Sequence, residues 1–172
     1  SESQEICSIP GDDYAAFLRG RIPCAFRPGH IVDGKGKIIG CHQGFLNYTI
    51  GQRKGMGIAA PRPLYVLALD AAANTIVAGP DEALLKSRFA VAGVNWVAIA
   101  GIDGPRAADV KIRSRHEGEP ATLFPGPRKS VIVEFARPQR AITPGQAAVF
   151  YEGDAVLGGG TISRVLNNSE PV

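Results

Sequence analysis

Apolar and polar positions trade places in short bursts along most of this chain. From His30 onward each burst lasts roughly four to eight residues and is then cut by Gly, Pro, Asn or Asp, the period of half-buried strands. One helix is predicted before them. Gly11-Asp12-Asp13 supplies an N-cap and first-turn acids, Tyr14, Phe17 and Leu18 recur at helical spacing, and Gly20 closes the end. His30 to Val32 and Lys37 to Gly40 then flank Asp33-Gly34-Lys35-Gly36, which reads as a hairpin turn. A second hairpin has arms Leu64 to Asp70 and Thr75 to Gly79, with Asn74 near its turn, and the proline and acids of Pro80 to Leu85 predict a short helix. A boundary is expected there. Beyond it the strands Arg88 to Val97, Ala108 to Arg115, Ala121 to Phe124, Ser130 to Phe135, Ala147 to Tyr151 and Thr161 to Val165 predict a small barrel or sandwich. Gly101 to Pro105 reads as a long turn inside that unit, and there is no internal repeat.

Composition sets limits on this picture. A chain of 172 residues with 45% hydrophobic content buries one ordinary core or two small ones. Its longest apolar runs, Phe89 to Val94 and Val97 to Ile102, are interrupted far short of the roughly 20 residues that cross a bilayer, so no membrane partner is expected. The chain opens on Ser1-Glu2-Ser3-Gln4-Glu5, without methionine, a basic n-region or an apolar h-region. It therefore reads as a piece of something longer, with no secretory signal. Cys7, Cys24 and Cys41 form no CxxC pair, and their odd count points to a reducing, cytoplasmic setting.

A net charge of +3 and a pI near 8.9 are only mildly basic, so the placement of the cations matters more than their sum. Tyr48-Thr49-Ile50-Gly51-Gln52-Arg53-Lys54-Gly55-Met56-Gly57 sets two adjacent cations in a glycine-spaced loop, an arrangement suited to an anion. ATP is excluded as its client: the loop lacks GxxxxGK[ST] spacing, a preceding buried strand and a following helix. An RNA contact and a solvated surface turn both remain open. In Val110-Lys111-Ile112-Arg113-Ser114-Arg115, strand alternation predicts Lys111, Arg113 and Arg115 on one face at about 6.6 Å spacing. Such a ladder suits a phosphate backbone, and equally describes an amphipathic strand with a solvated basic side. Cys7 has no neighbouring positive charge to stabilise a thiolate, and a lone cysteine is ordinarily a small buried hydrophobe. Cys24, His30, Cys41 and His42 fit the spacing of no usual zinc module, so no metal is expected.

Four motifs in order change the weighting. Ser3-Gln4-Glu5-Ile6-Cys7, Tyr48 to Gly55, Val94-Asn95-Trp96, and Thr143-Pro144-Gly145-Gln146-Ala147-Ala148-Val149-Phe150-Tyr151 with Leu157-Gly158-Gly159-Gly160 resemble the bacterial tRNA-specific 2-thiouridylases. The resemblance covers nearly the whole chain but only the back half of such an enzyme. It implies a mainly β protein: residues 1–16 as a remnant of an N-terminal catalytic domain, 17–86 as a small β-rich central domain, 87–167 as a β-barrel resembling elongation-factor domain 2, and 168–172 as a tail. It also implies that the absent domain, an ATP-pyrophosphatase using ATP with Mg, adenylates the 2-oxygen of the wobble uridine, after which sulfur replaces AMP. Cys7 matches the cysteine that carries the incoming sulfur as a persulfide, and its partner cysteine lies outside this chain. No cofactor is expected in the chain itself, which alone is expected to be inactive.

Implied partners are tRNA and a sulfur-donor protein, with no DNA. Implied tRNA contacts fall on Arg113, on Ser114, where the family has tyrosine, and on Gln146 of the Pro-Gly-Gln motif. Arg53 and Lys54 become a surface that helps seat tRNA, alongside Lys111 and Arg115. A methyltransferase activity is not expected, because no methyl-donor glycine fingerprint appears. The remaining alternative is a non-catalytic RNA-binding or translation-associated barrel in which Cys7 is incidental.

Overall fold

A computed structural model describes residues 26–166. The helix expected around Tyr14, and with it Cys7 and Cys24, lies outside the described residues. The chain forms two compact units that divide between Asp81 and Glu82, against the 86/87 division expected from the sequence. Among the described residues every regular element is a strand, apart from single 3-10 turns at Phe45–Asn47 and Asp81–Leu84. The second of these stands where a short helix was predicted. It stops after four residues because Leu85 already begins the next strand.

The first unit is a four-stranded sheet in the order β2-β1-β4-β3. Strands β1 (Gly29–Val32) and β2 (Ile38–His42) pair antiparallel, as do β3 (Tyr65–Asp70) and β4 (Thr75–Gly79). The two hairpins join through a parallel β1–β4 contact with Ile31 opposite Ile76. Local chemistry explains both turns. Asp33 Oδ1 accepts the N–H groups of Lys35 and Lys37 at 2.9 and 3.0 Å, which pulls its carboxyl below the ordinary aspartate range. Asn74 takes a φ of 48°, a left-handed conformation that asparagine tolerates better than most residues. The core gathers Ile31, Val66, Ile76 and Ala78 from the sheet and Met56 from the glycine loop.

His42 is fully buried beside this core. Its Nδ1 accepts the Gly44 N–H at 3.1 Å, which leaves Nε2 protonated to donate to the Asn74 carbonyl at 3.1 Å. With both nitrogens engaged it is a structural histidine, and among the described residues no cluster of His, Cys, Asp and Glu is arranged to hold a metal.

The second unit is a closed barrel of β5 (Leu85–Trp96), β6 (Arg106–Lys111), β7 (Glu119–Pro125), β8 (Val131–Arg140), β9 (Ala147–Glu152) and β10 (Ala155–Leu166), in the circular order β10-β5-β8-β7-β6-β9. This resolves the choice between barrel and sandwich. Every second residue of most strands points inward, and Phe89, Val91, Val110, Leu123, Val133 and Phe150 meet there fully buried. Each such side chain contributes about 1.5–3 kcal/mol relative to exposure.

The expected cation ladder is corrected. Strand β6 ends at Lys111, and the chain turns at once, with the His116 N–H donating to the Arg113 carbonyl at 3.0 Å. Arg113 and Arg115 therefore stand on a turn rather than a strand face. The alternation misled because Ile112 is buried even though it lies outside the ladder: burial continued for one residue after the pairing had stopped.

Ion pairs brace the barrel wall. Arg88, almost completely buried, meets Glu134 directly across β5 and β8 at 3.2 Å. Arg137 clasps the buried Glu119 carboxylate with two hydrogen bonds of 2.8 and 3.0 Å, which hold that carboxyl below the ordinary glutamate range, with smaller help from His116. The folded barrel thus keeps Glu119 charged at a pH where the unfolded chain has begun to protonate it. Its contribution is complete above the unfolded glutamate pKa and is lost as pH falls through the folded one. Acid melts from about pH 5 downward should show a shallower loss of stability in Glu119→Gln than in the parent barrel, and parallel curves would show that the clasp adds nothing.

Candidate nucleic-acid interface

Strand β9 builds the floor of the site. Ala148 and Phe150 point into the core, so Ala147, Val149 and Tyr151 must face the other way. There they line a cleft of about 500 Å³ together with Lys111, Arg113, Ser114 and Gln146. Pairing of β6 with β9 puts Lys111 opposite Val149 and Asp109 opposite Tyr151. Lys111 reaches diagonally, so that its Nζ stands 5.2 Å from the centre of the Tyr151 ring. The turn after Lys111 carries Arg113 and Ser114 to the same cleft, and Arg113 Nη1 donates to the Arg140 carbonyl at 3.2 Å.

Gln146 arrives from a separate stretch. The Gly145 N–H donates to the Ile162 carbonyl and the Ile162 N–H to the Gln146 carbonyl, both at 2.8 Å, so the Pro-Gly-Gln turn is clamped to β10. Its side chain remains exposed beside Arg113 and Ser114 in the cleft lining. Four of the residues named from the sequence thus surround one cavity. Arg115 is exposed but does not line it.

The glycine loop of the first unit is built differently from its sequence expectation. The Gly51 N–H donates to the Val66 carbonyl at 2.8 Å, the Gln52 N–H to the Thr49 carbonyl at 2.9 Å, and the Thr49 N–H to Gln52 Oε1 at 3.0 Å. The Gln52 amide closes the knot by donating to the Lys54 carbonyl at 2.8 Å. The Thr49, Gly51 and Gln52 N–H groups are thus engaged within the unit. Arg53 and Lys54 are left exposed on its outside, and Arg53 lines a cleft of about 570 Å³ with Met56, Ile58 and Arg62.

Comparison with known proteins bears on what these surfaces serve. The tRNA methyl transferase PRC-barrel domain matches residues 15–80 and the aminomethyltransferase beta-barrel domain matches residues 86–162. A protein of Symbiobacterium thermophilum named tRNA-specific 2-thiouridylase MnmA is 49% identical over 166 residues, covering 96% of this chain and 43% of its own length. One of the same name from Heliobacterium modesticaldum is 51% identical over 174 residues, covering 99% of this chain and 45% of its own length. This chain belongs to the tRNA-specific 2-thiouridylase family. It spans less than half the length of these curated relatives.

Family membership accounts for the two units, a sheet and a barrel, and their order along the chain. Although both domain descriptions carry methyltransferase wording, the relatives are named as thiouridylases, and the glycine run Gly158 to Gly160 lies inside β10 instead of opening a helix at a cofactor site. Sequence reasoning missed Tyr151 and Arg62. The signal for Tyr151 was available: it falls two residues after Val149 on the side of β9 opposite Phe150.

Proposed function

We propose that this chain is the tRNA-docking part of a 2-thiouridylase that replaces the 2-oxygen of the wobble uridine with sulfur. One observation carries the reading: Lys111, Arg113, Ser114 and Gln146, drawn from two stretches of sequence, line a single cleft. Two cations there neutralise phosphate, while the amide and hydroxyl offer donors and acceptors to ribose and base edges. Cys7 would carry the sulfur as a persulfide supplied by a sulfur-donor protein in the cytoplasm. ATP with Mg would act in a catalytic domain outside this chain, since the glycine loop lacks GxxxxGK[ST] spacing. Arg53 and Lys54 form a second contact that helps seat the tRNA.

Affinity measured against salt tests this reading. In the full-length gene product, Arg113→Ala should weaken tRNA binding roughly tenfold and lower the slope of log affinity against log salt by about 0.7–0.9. Arg53→Ala should act in the same direction, more weakly, and leave adenylation intact. Binding that ignores salt, or wild-type affinity in Arg113→Ala, would remove the cleft from the interface.

A further inference from the structure

Tyr151 is the aromatic ring of the barrel cleft, and the fold makes no other use of it. It lies outside the barrel core, which takes its neighbours Ala148 and Phe150 instead. Among the described residues its hydroxyl has no hydrogen-bond partner, and its ring contact is with the Lys111 ammonium. A half-buried tyrosine that neither packs in the core nor anchors a hydrogen bond offers the cleft the part of its ring that the Lys111 ammonium does not cover.

The surroundings give that surface a direction. Lys111 and Tyr151 also line a neighbouring cleft of about 450 Å³, whose wall includes Asp109, Glu117 and Asp154. The Lys111–Tyr151 pair is thus a partition between a cationic side, with Arg113 and Gln146, and an acidic side that repels phosphate. An RNA strand drawn to Arg113 meets the ring at the partition and is discouraged from passing it. Single-stranded RNA is held in this manner, with cations on the backbone and bases stacked on aromatic faces.

We propose that Tyr151 is the base-stacking residue of the barrel cleft, receiving one unpaired nucleotide of the tRNA while Lys111 takes an adjoining phosphate. This rests on the tRNA-docking reading above. It gives the cleft a means of holding a base as well as a backbone, which the cations do not supply.

The test uses tRNA binding to the full-length gene product across a range of salt. Tyr151→Leu keeps apolar bulk but removes the π face, and should weaken binding about tenfold without changing the salt slope. Tyr151→Phe should bind within about twofold of wild type. Tyr151→Trp should bind at least as tightly and show indole fluorescence quenched by added tRNA, above the change in a wild-type control. This arm does not depend on the Leu variant folding well. The inference is overturned if Tyr151→Leu binds like wild type, if its salt slope falls as in Arg113→Ala, or if the Trp emission ignores tRNA. Should wild-type protein fail to bind tRNA even at low salt, the docking reading itself fails; normal Arg113 behaviour with a silent Tyr151 defeats only this inference.

Discussion

Cys7→Ser in the full-length gene product should abolish 2-thiouridine formation, a loss of roughly 10³-fold or more, while tRNA affinity stays at the wild-type value. The size of the effect follows from the chemistry proposed for this residue. A persulfide stores transferable sulfur in an S–S bond, and its terminal thiol is acidic and polarisable, hence strongly nucleophilic at neutral pH. Serine oxygen neither holds sulfane sulfur nor ionises in that range, so the substitution leaves nothing to transfer. Nucleoside mass spectrometry of tRNA from cells carrying the variant reads the outcome directly. Normal 2-thiouridine would assign Cys7 no role in sulfur transfer and favour the alternative of a non-catalytic RNA-binding barrel.

The second large effect is on stability. Gly159→Ala should destabilise the barrel by about 1–3 kcal/mol, the range typical of overpacking. Taken alone, a glycine-to-alanine change in extended backbone stabilises by about 0.4–1 kcal/mol through the unfolded chain, so the predicted sign depends on a specific clash. A Cβ at Gly159 would lie 2.6 Å from the Ala148 carbonyl oxygen and 3.3 Å from the Val149 Cα, both of them backbone. Retreat is blocked on the other side as well, since Gly159 pairs with Asn95 of β5 as well as Val149 of β9. A strand at an open edge would swing away; in a closed barrel, relief on one flank strains the other. A Cβ at Gly158 would lie 2.5 Å from the Asn95 carbonyl oxygen and one at Gly160 2.6 Å from that of Ala92, so the whole triplet answers to close approach of neighbouring strands. Thermal unfolding of Gly159→Ala measures this, and a melting temperature equal to or above that of the parent would contradict it.

The same triplet shows why parts of the fold were hidden in the sequence. Strand β10 was expected only over Thr161 to Val165, yet it begins at Ala155, because three glycines erase the alternation that marks a strand while satisfying a packing demand invisible to local pattern. The far half of β8 escaped for a related reason. Residues Ala136, Arg137 and Pro138 face solvent in succession, and proline ordinarily argues against a strand. Where alternation and turn chemistry agreed, as at Asp33 to Gly36 and at Asn74, both hairpins were legible in position. Of the cleft, Arg113, Ser114 and Gln146 came from motif resemblance and Lys111 from charge pattern. Their convergence needed the β6–β9 pairing, which joins segments that no local pattern connects.

Strand β9 has a further consequence for how the protein changes over generations. Its inward residues hold the barrel together and its outward residues, Ala147, Val149 and Tyr151, floor the cleft, so the two sets interleave without sharing a side chain. On the proposed docking role, mutational drift at the outward set would retune which nucleotides are gripped while leaving the inward, core-forming set unchanged. Stability and the proposed ligand preference would thereby be separately heritable along a strand of six residues.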